Sequence, residues 1–349
     1  MIEAELSDSD VPVVLVIYNR ADTTSQVFAA IRRARPRRLY VFGDAPREKP
    51  GDAERVAAAR AATDLVDWPC RVERRYAEAN QGAGRAMAAA CAAVFDGDEQ
   101  AVFLEDDCVP QPGFFRFCAE LLERYRHDER VGMISGSNPV EEWDIERASY
   151  HFGHFETGWG WATWRRAWRT YDFEMRGWDS PETASLIRGA LGDDEQARHC
   201  LAMAKAVRMG RFDAWDVQFS HANLKAGRLA ITPARNMVAN IGFGPGASNT
   251  VRRTLLDAVR RSYPAELPLR HPPAVAADRA LDRMIHELRR GRLSPEGRVR
   301  IGERLLSSGR ALAALSIVRM GREPAGDRAL AELEKRVIEA IRGAQAPRS

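Results

Sequence analysis

Residues 11–22 read VPVVLVIYNRAD. Val11 to Tyr18 is a continuous apolar run that stops at the polar pair Asn19-Arg20. A strand buried on both faces reads this way, because neither side of its pleat meets water. Asp22-Thr23-Thr24 can then cap a helix, and the spacing predicts that helix to about Arg33. Downstream the same unit recurs. Arg38 to Phe42 is a second short strand closed by Gly43-Asp44, and Gly51 to Asp64 is alanine-rich and helical. Arg71 to Tyr76 is a third strand, followed by a turn at Asn80-Gln81-Gly82 and an alanine-rich helix to Val94. Ala101 to Leu104, a helix over Gly113 to Tyr125, and Val131 to Ser135 complete the series.

Strands alternating with helices predict an α/β fold with a mainly parallel, Rossmann-like central sheet and right-handed crossovers. Ligands on such sheets bind beyond the carboxyl ends of the strands. Asn19-Arg20, Asp44, Asn80 and Glu105-Asp106-Asp107 each close a strand, so they are expected to converge on one crevice.

Outside this first third the texture changes. Residues 137–250 are rich in tryptophan, glycine and histidine, with short strand-like pieces only. Pro268, Pro272 and Pro273 predict a linker. From Asp278 onward a small helical appendage is expected, broken at Gly291, Gly309, Gly321 and Pro324, with Leu281, Met284, Ile285 and Leu288 at helical spacing. Those helices are candidates for a homo-oligomer contact or for docking a partner.

The 349 residues suffice for one large core plus an accessory domain. Fifty-two basic against 49 acidic residues leave +3, which gives no pull toward nucleic acid or anionic lipid. Cys70, Cys91, Cys108, Cys118 and Cys200 form no C-x-x-C pair and are expected to be reduced, mostly buried thiols. The N-terminus carries Glu3, Glu5, Asp8 and Asp10 rather than a signal segment, and no apolar run approaches the roughly 20 residues of a spanning helix. A cytoplasmic location is expected, with or without peripheral association at the inner membrane.

Three segments carry candidate chemistry. Glu105-Asp106-Asp107 follows the apolar Val102-Phe103-Leu104 directly. Carboxylates at the end of a buried strand are costly unless a cation meets them, and Mg²⁺ or Mn²⁺ bridging two phosphates suits them. The competing reading is a solvated turn or helix cap, since Pro110-Gln111-Pro112-Gly113 opens a helix soon after. Phe155 to Trp168 (FETGWGWATWRRAW) holds four of the eight tryptophans. Trp159 and Trp161 beside glycines are expected to form a sugar platform, with Glu156 bonding hydroxyls; a tryptophan-filled core corner is the alternative. Arg165 and Arg166 are either phosphate contacts or surface charges. Asp213-Ala214-Trp215-Asp216 is the third segment. No P-loop, no G-x-G-x-x-G and no G-x-S-x-G is present.

These residues resemble the GT-A glycosyltransferases. VIYNRAD (16–22) resembles their opening turn, VFGDAP (41–46) their second-strand turn, and NQGAGRAM (80–87) the segment near ribose and donor sugar. VFLEDDCVPQPGFFRF (102–117) is the nearest match, similar to bacterial family-2-like enzymes and to the Golgi N-acetylglucosaminyltransferase that starts complex N-glycans. The resemblance covers roughly residues 11–250. It implies a GT-A domain over 1–265 (nucleotide-binding half 11–135, acceptor half 136–265), with a helical region over 275–349. It further implies transfer of a sugar from a nucleoside diphosphate donor to a glycan, lipid-linked or protein hydroxyl, with inversion and a divalent cation, Mn²⁺ or Mg²⁺. On that basis Asp107 is the metal ligand, and Glu105 and Asp106 contact ribose or donor sugar. Asn19, Arg20, Asp44, Asn80 and Arg85 serve the donor, with Asp44 facing the base. Asp216, with Asp213 second, is the base that deprotonates the acceptor. The bacterial enzymes commonly end this domain in H-T, where Asn249-Thr250 stands here, so His151, His154 or His221 are candidates to complete the metal shell. Two rivals remain. A nucleotidyltransferase would want a glycine- and lysine-rich phosphate loop, and an inactive sugar-binding module would fit the loss of histidine at Asn249.

Overall fold

The computed structural model describes residues 9–243, 260–320 and 327–345. These divide into two compact units, one of residues 9–243 and 262–278, the other of 260–261, 279–320 and 327–345.

The first unit is built on an eight-stranded sheet. Its strands are β1 (Val13–Ile17), β2 (Arg38–Gly43), β3 (Arg71–Tyr76), β4 (Gln100–Glu105), β6 (Val131–Ser135), β7 (Tyr150–Gly153), β8 (Trp161–Trp164) and β9 (Leu229–Pro233). β5 (Cys108–Pro110) and β10 (Val238–Asn240) pair separately as an antiparallel ribbon. The sheet order is β3-β2-β1-β4-β8-β6-β9-β7. From β3 to β4 every pair is parallel, as the alternating sequence predicts. β8 then enters antiparallel between β4 and β6.

Helices cover both faces: α1 (Ala21–Ala34), α2 (Asp52–Ala61), α3 (Ala83–Gly97), α4 (Phe114–Arg124), α5 (Arg165–Trp168), α6 (Pro181–Leu191), α7 (Asp194–Arg208) and α8 (Asp216–Lys225). Val13, Leu15 and Ile17 point into a core shared with Phe28 and Ile31 of α1 and Phe114 and Leu121 of α4. Val14 points the other way, to Met87 and Cys91 of α3, Trp168 of α5 and Phe219 of α8. That double coverage is why β1 reads as an unbroken apolar run. β3 lies at the edge, and its Arg71, Glu73 and Arg75 keep that edge charged.

Three helices, α6, α7 and α8, occupy residues 181–225, where the sequence had suggested only short strand-like pieces. Ser180 and Asp193 cap α6 and α7 by accepting the Thr183 and Gln196 amide protons. Cys91, Cys108 and Cys118 are buried, Cys70 and Cys200 half-buried, and none is bridged.

The second unit is helical: α9 (Arg279–Arg289), α10 (Pro295–Ser307), α11 (Ala311–Val318) and α12 (Arg328–Gln345). Leu281, Met284, Ile301, Leu305, Ile317, Leu333 and Val337 are buried in it. The breaks expected at Gly291 and Gly309 fall between helices; Gly321, Pro324 and Asn249 lie outside the described residues. Among the described residues no helix is long and apolar enough to cross a membrane.

Candidate active site

A cleft of about 300 Å³ opens where β1, β2 and β4 end. The strand register brings its first wall together: Val16 of β1 lies opposite Glu105 of β4, so the turns that follow the two strands meet. The Tyr18 amide donates to Asp106 Oδ2 (3.1 Å), and the Arg20 guanidinium pairs with Asp106 and, at 2.9 Å, with Asp107 Oδ2. The chain enters β5 immediately after this acidic turn, and β10 holds it from outside. The Ile241 amide donates to the Asp107 carbonyl (2.9 Å), and Asn240 Nδ2 stands 3.5 Å from Asp107 Oδ1, to which the Cys108 thiol also donates. Gly242 packs so tightly here that a Cβ on it would overlap Asp107 Oδ2 and crowd the Arg20 guanidinium at 2.6 Å.

A second wall comes from the start of α8 and the segment before it. Trp215 occupies its N-cap position, and Asp216 is its first residue, with Oδ1 accepting the Val217 amide proton (3.0 Å). An aromatic stack ties this wall to β4. Phe103 lies on Trp161 of β8 (4.4 Å between ring centres, 15° between planes), and Trp161 on Trp215 (4.5 Å, 22°). Trp215 and Glu105 both line the cleft at this point.

Charge in the cleft is one-sided. Among the described residues, Asp44, Glu105, Asp106, Asp107, Asp213 and Asp216 line it against Arg20 and Arg47, six acidic groups against two basic. Burial raises the Glu105 pKa to about 8; the charges of Asp107, Asp106 and Asp216 add to this, and the Trp215 side chain opposes it. Burial likewise raises Asp106 to about 6, although Arg20 pulls the other way. Burial disfavours the Arg20 charge, yet Asp106 and Asp107 hold its pKa above the usual value.

Arg20, Asp44, Glu105, Asp106, Asp107, Trp159 and Asp216 line the cleft. The other expected site residues stand elsewhere, for physical reasons. Trp161 is fully buried in the stack and offers no platform. Glu156 is buried and accepts from Asn223 Nδ2 (3.1 Å). Arg165 and Arg166 bond backbone carbonyls of residues 98 and 125–131, away from the cleft. Arg85 pairs with Glu174 (3.1 Å) and covers the Phe173 ring. Asn19 donates to Asp52 Oδ1 (2.6 Å). Neither His151, bonded to the Trp143 carbonyl, nor His154 nor His221 lines the cleft. Asp44 does line it, but its carboxylate accepts from the amides of Ala45, Gln81 and Gly82 and from Asn80 Nδ2. It therefore joins the loops after β2 and β3 at the edge of the cleft.

Tyr18, Arg47, Asn240, Met203 and Phe212 also line the cleft and were not singled out from sequence. Nor was Asp52, which accepts from the Tyr18 hydroxyl (2.5 Å), Asn19, the Arg47 amide (2.8 Å) and Arg55, bonds that hold its carboxyl well below the usual range although burial opposes them. Only the polar stop after VLVIY hinted at that network. Among the described residues no three His, Cys, Asp or Glu side chains are grouped to hold a metal by themselves.

No protein-family model and no curated protein matches the chain. Solved structures do. A mannosyltransferase, PcManGT from Pyrobaculum calidifontis in complex with GDP-Man and Mn²⁺, is similar at 15% identity over 95% of this chain and 80% of that one, with a TM-score of 0.40. A UDP-glucose pyrophosphorylase complexed with UDP-glucose is similar at 9% identity, over 46% and 78%, with a TM-score of 0.27. An apo UDP-glucose pyrophosphorylase is similar at 8%, over 65% and 93%, with a TM-score of 0.32.

Proposed function

We propose that the chain is a glycosyltransferase that binds a nucleoside diphosphate sugar in this cleft and passes the sugar, with inversion, to an acceptor hydroxyl on a glycan, lipid carrier or protein. The observation that carries the proposal is that two carboxylate-bearing walls line one cleft. One wall is an acidic turn at the carboxyl end of a buried strand, and the other is a carboxylate, Asp216, on an aromatic support.

Even with Glu105 protonated, the five other carboxyl groups outnumber the two arginines among the described lining residues and disfavour a diphosphate, so binding one calls for a cation. The residues fit such an ion. Mg²⁺ and Mn²⁺ are commonly held by one or two carboxylates together with substrate phosphates and water, so a closed protein cage is not needed. Asp107 would hold it, and Asn240 stands beside that carboxylate. When bound, the ion would supply charge neutralisation for the leaving diphosphate. Arg20 meets the same charge from the other side. Asp216 takes the acceptor proton as its oxygen attacks the anomeric carbon, and Trp159 and Trp215 offer flat faces to sugar C–H groups. Among the described residues no lysine lines the cleft, which sets the nucleotidyltransferase reading behind this one.

The test is thermal stability against nucleoside diphosphates and their sugars, with and without Mn²⁺. A ligand that binds only the native state raises Tm by mass action, by about 2.7 kcal/mol of stability at 100-fold excess over Kd. A cation-dependent rise is expected with one base, and Asp107→Asn should abolish its cation-dependent part. No rise with any nucleotide would overturn the proposal, and binding of free sugar instead would favour the inactive module.

A further inference from the structure

Segment 213–216 carries two carboxylates, and the structure gives them different surroundings. Asp213 accepts the Gly84 amide proton (3.1 Å) from 129 residues away in sequence. Gly84 is the second residue of α3, whose N-cap residue, Gly82, offers no side chain. First-turn amides of a helix lack intrahelical partners and carry partial positive charge, so a carboxylate there satisfies both needs. The approach is close. A Cβ on Gly82 would lie 2.7 Å from Asp213 Oδ2, and one on Gly84 would lie 2.6 Å from the Ala214 carbonyl and overlap Asp213 Oδ1.

From its other side the same loop is held by Asp44, which accepts the Gln81 (2.9 Å) and Gly82 (3.0 Å) amides. Residues 80–84 are thus clamped between two carboxylates, one from β2's end and one from the segment that leads into α8. Beyond Asp213, the Ala214 carbonyl accepts from Gln218 Nε2 (2.7 Å), Trp215 stacks on Trp161, and Asp216 opens α8.

We propose that Asp213 is a positioning residue: it docks segment 213–216 on the first turn of α3 and so sets where Asp216 stands in the cleft. The proposal rests on the reading of Asp216 as the base, and it removes Asp213 as the competing base. Small displacements of a reacting group are expensive in rate, about 100-fold for roughly 1 Å.

The experiment compares the full-length chain with Asp213→Ala, Asp213→Asn and Gly84→Ala by amide hydrogen exchange, by sugar-transfer kinetics and by nucleotide affinity in Mn²⁺. In Asp213→Ala, exchange should rise at the Gly84 amide and through residues 213–219. The kcat should fall by about 100-fold while nucleotide Kd is unchanged. Gly84→Ala should behave alike. Asp213→Asn, whose amide oxygen still accepts, should recover most of the rate with an unaltered pH profile. Unchanged exchange over 213–219 in Asp213→Ala would overturn the docking. Asp213→Asn as slow as Asp213→Ala, with the basic group lost from the pH profile, would make Asp213 itself the base. Should the wild type transfer no sugar, the exchange result alone decides the docking, and the catalytic reading falls separately.

Discussion

Asp216 and Asp107 both line the cleft, and under the proposed function they have different roles that substitutions should separate. Asp216→Asn should lower kcat by about 10²–10⁴-fold, the usual contribution of a positioned base, and leave the nucleotide-induced Tm rise intact. A parallel loss of that rise would place Asp216 on the donor instead. Glu105 tests the electrostatics. A carboxyl whose folded pKa lies above its unfolded value keeps a proton that the unfolded chain has already released. Stability therefore falls as pH rises between 4.5 and about 8. Glu105→Gln should flatten that fall in a Tm-against-pH series, with about 2–4 °C gained at pH 8 per kcal/mol relieved. At this scale the sequence was legible where a polar residue closes a strand, as at Arg20, Asp44 and Glu105-Asp106-Asp107. It could not say that the Asp44 carboxylate would be consumed by the amides of Ala45, Gln81 and Gly82, because side-chain bonds to a distant loop leave no periodic trace.

Among elements, β1 and β4 were readable because burial on both faces gives unbroken apolar runs and polar stops, and β2 and the charged edge strand β3 because they alternate with alanine-rich helices. α8 was not. It buries Gln218, His221 and Asn223 alongside Phe219 and Leu224, so its inward face carries no clean apolar stripe. β8 shows the same limit: Trp159 before the strand reaches the cleft, whereas Trp161 within it fills the stack, a difference of two residues that only the register decides. α8 has its own pH signature. Burial lowers the His221 pKa to about 4, and neither ring nitrogen finds a partner among the described residues. The unfolded chain takes that proton first, so stability is lost as pH falls from 6.5 toward about 4. His221→Leu should flatten this acid limb while leaving the alkaline one; an unchanged acid limb would refute the assignment.

At the scale of the whole molecule, every described residue lining the cleft falls between Val16 and Gly242, inside the first compact unit. A chain ending at Asp278 should therefore keep the cation-dependent nucleotide response in the same thermal assay, whatever α9–α12 do for self-association. Loss of the response with a cooperative melt retained would show that the helical unit takes part in binding. The stack of Phe103, Trp161 and Trp215 has a further consequence. An indole beside Glu105 emits according to the local field, so the cleft contains its own unlabelled optical gauge, through which a ligand entering the cleft, or the titration of Glu105, should register as a colour change from within the protein.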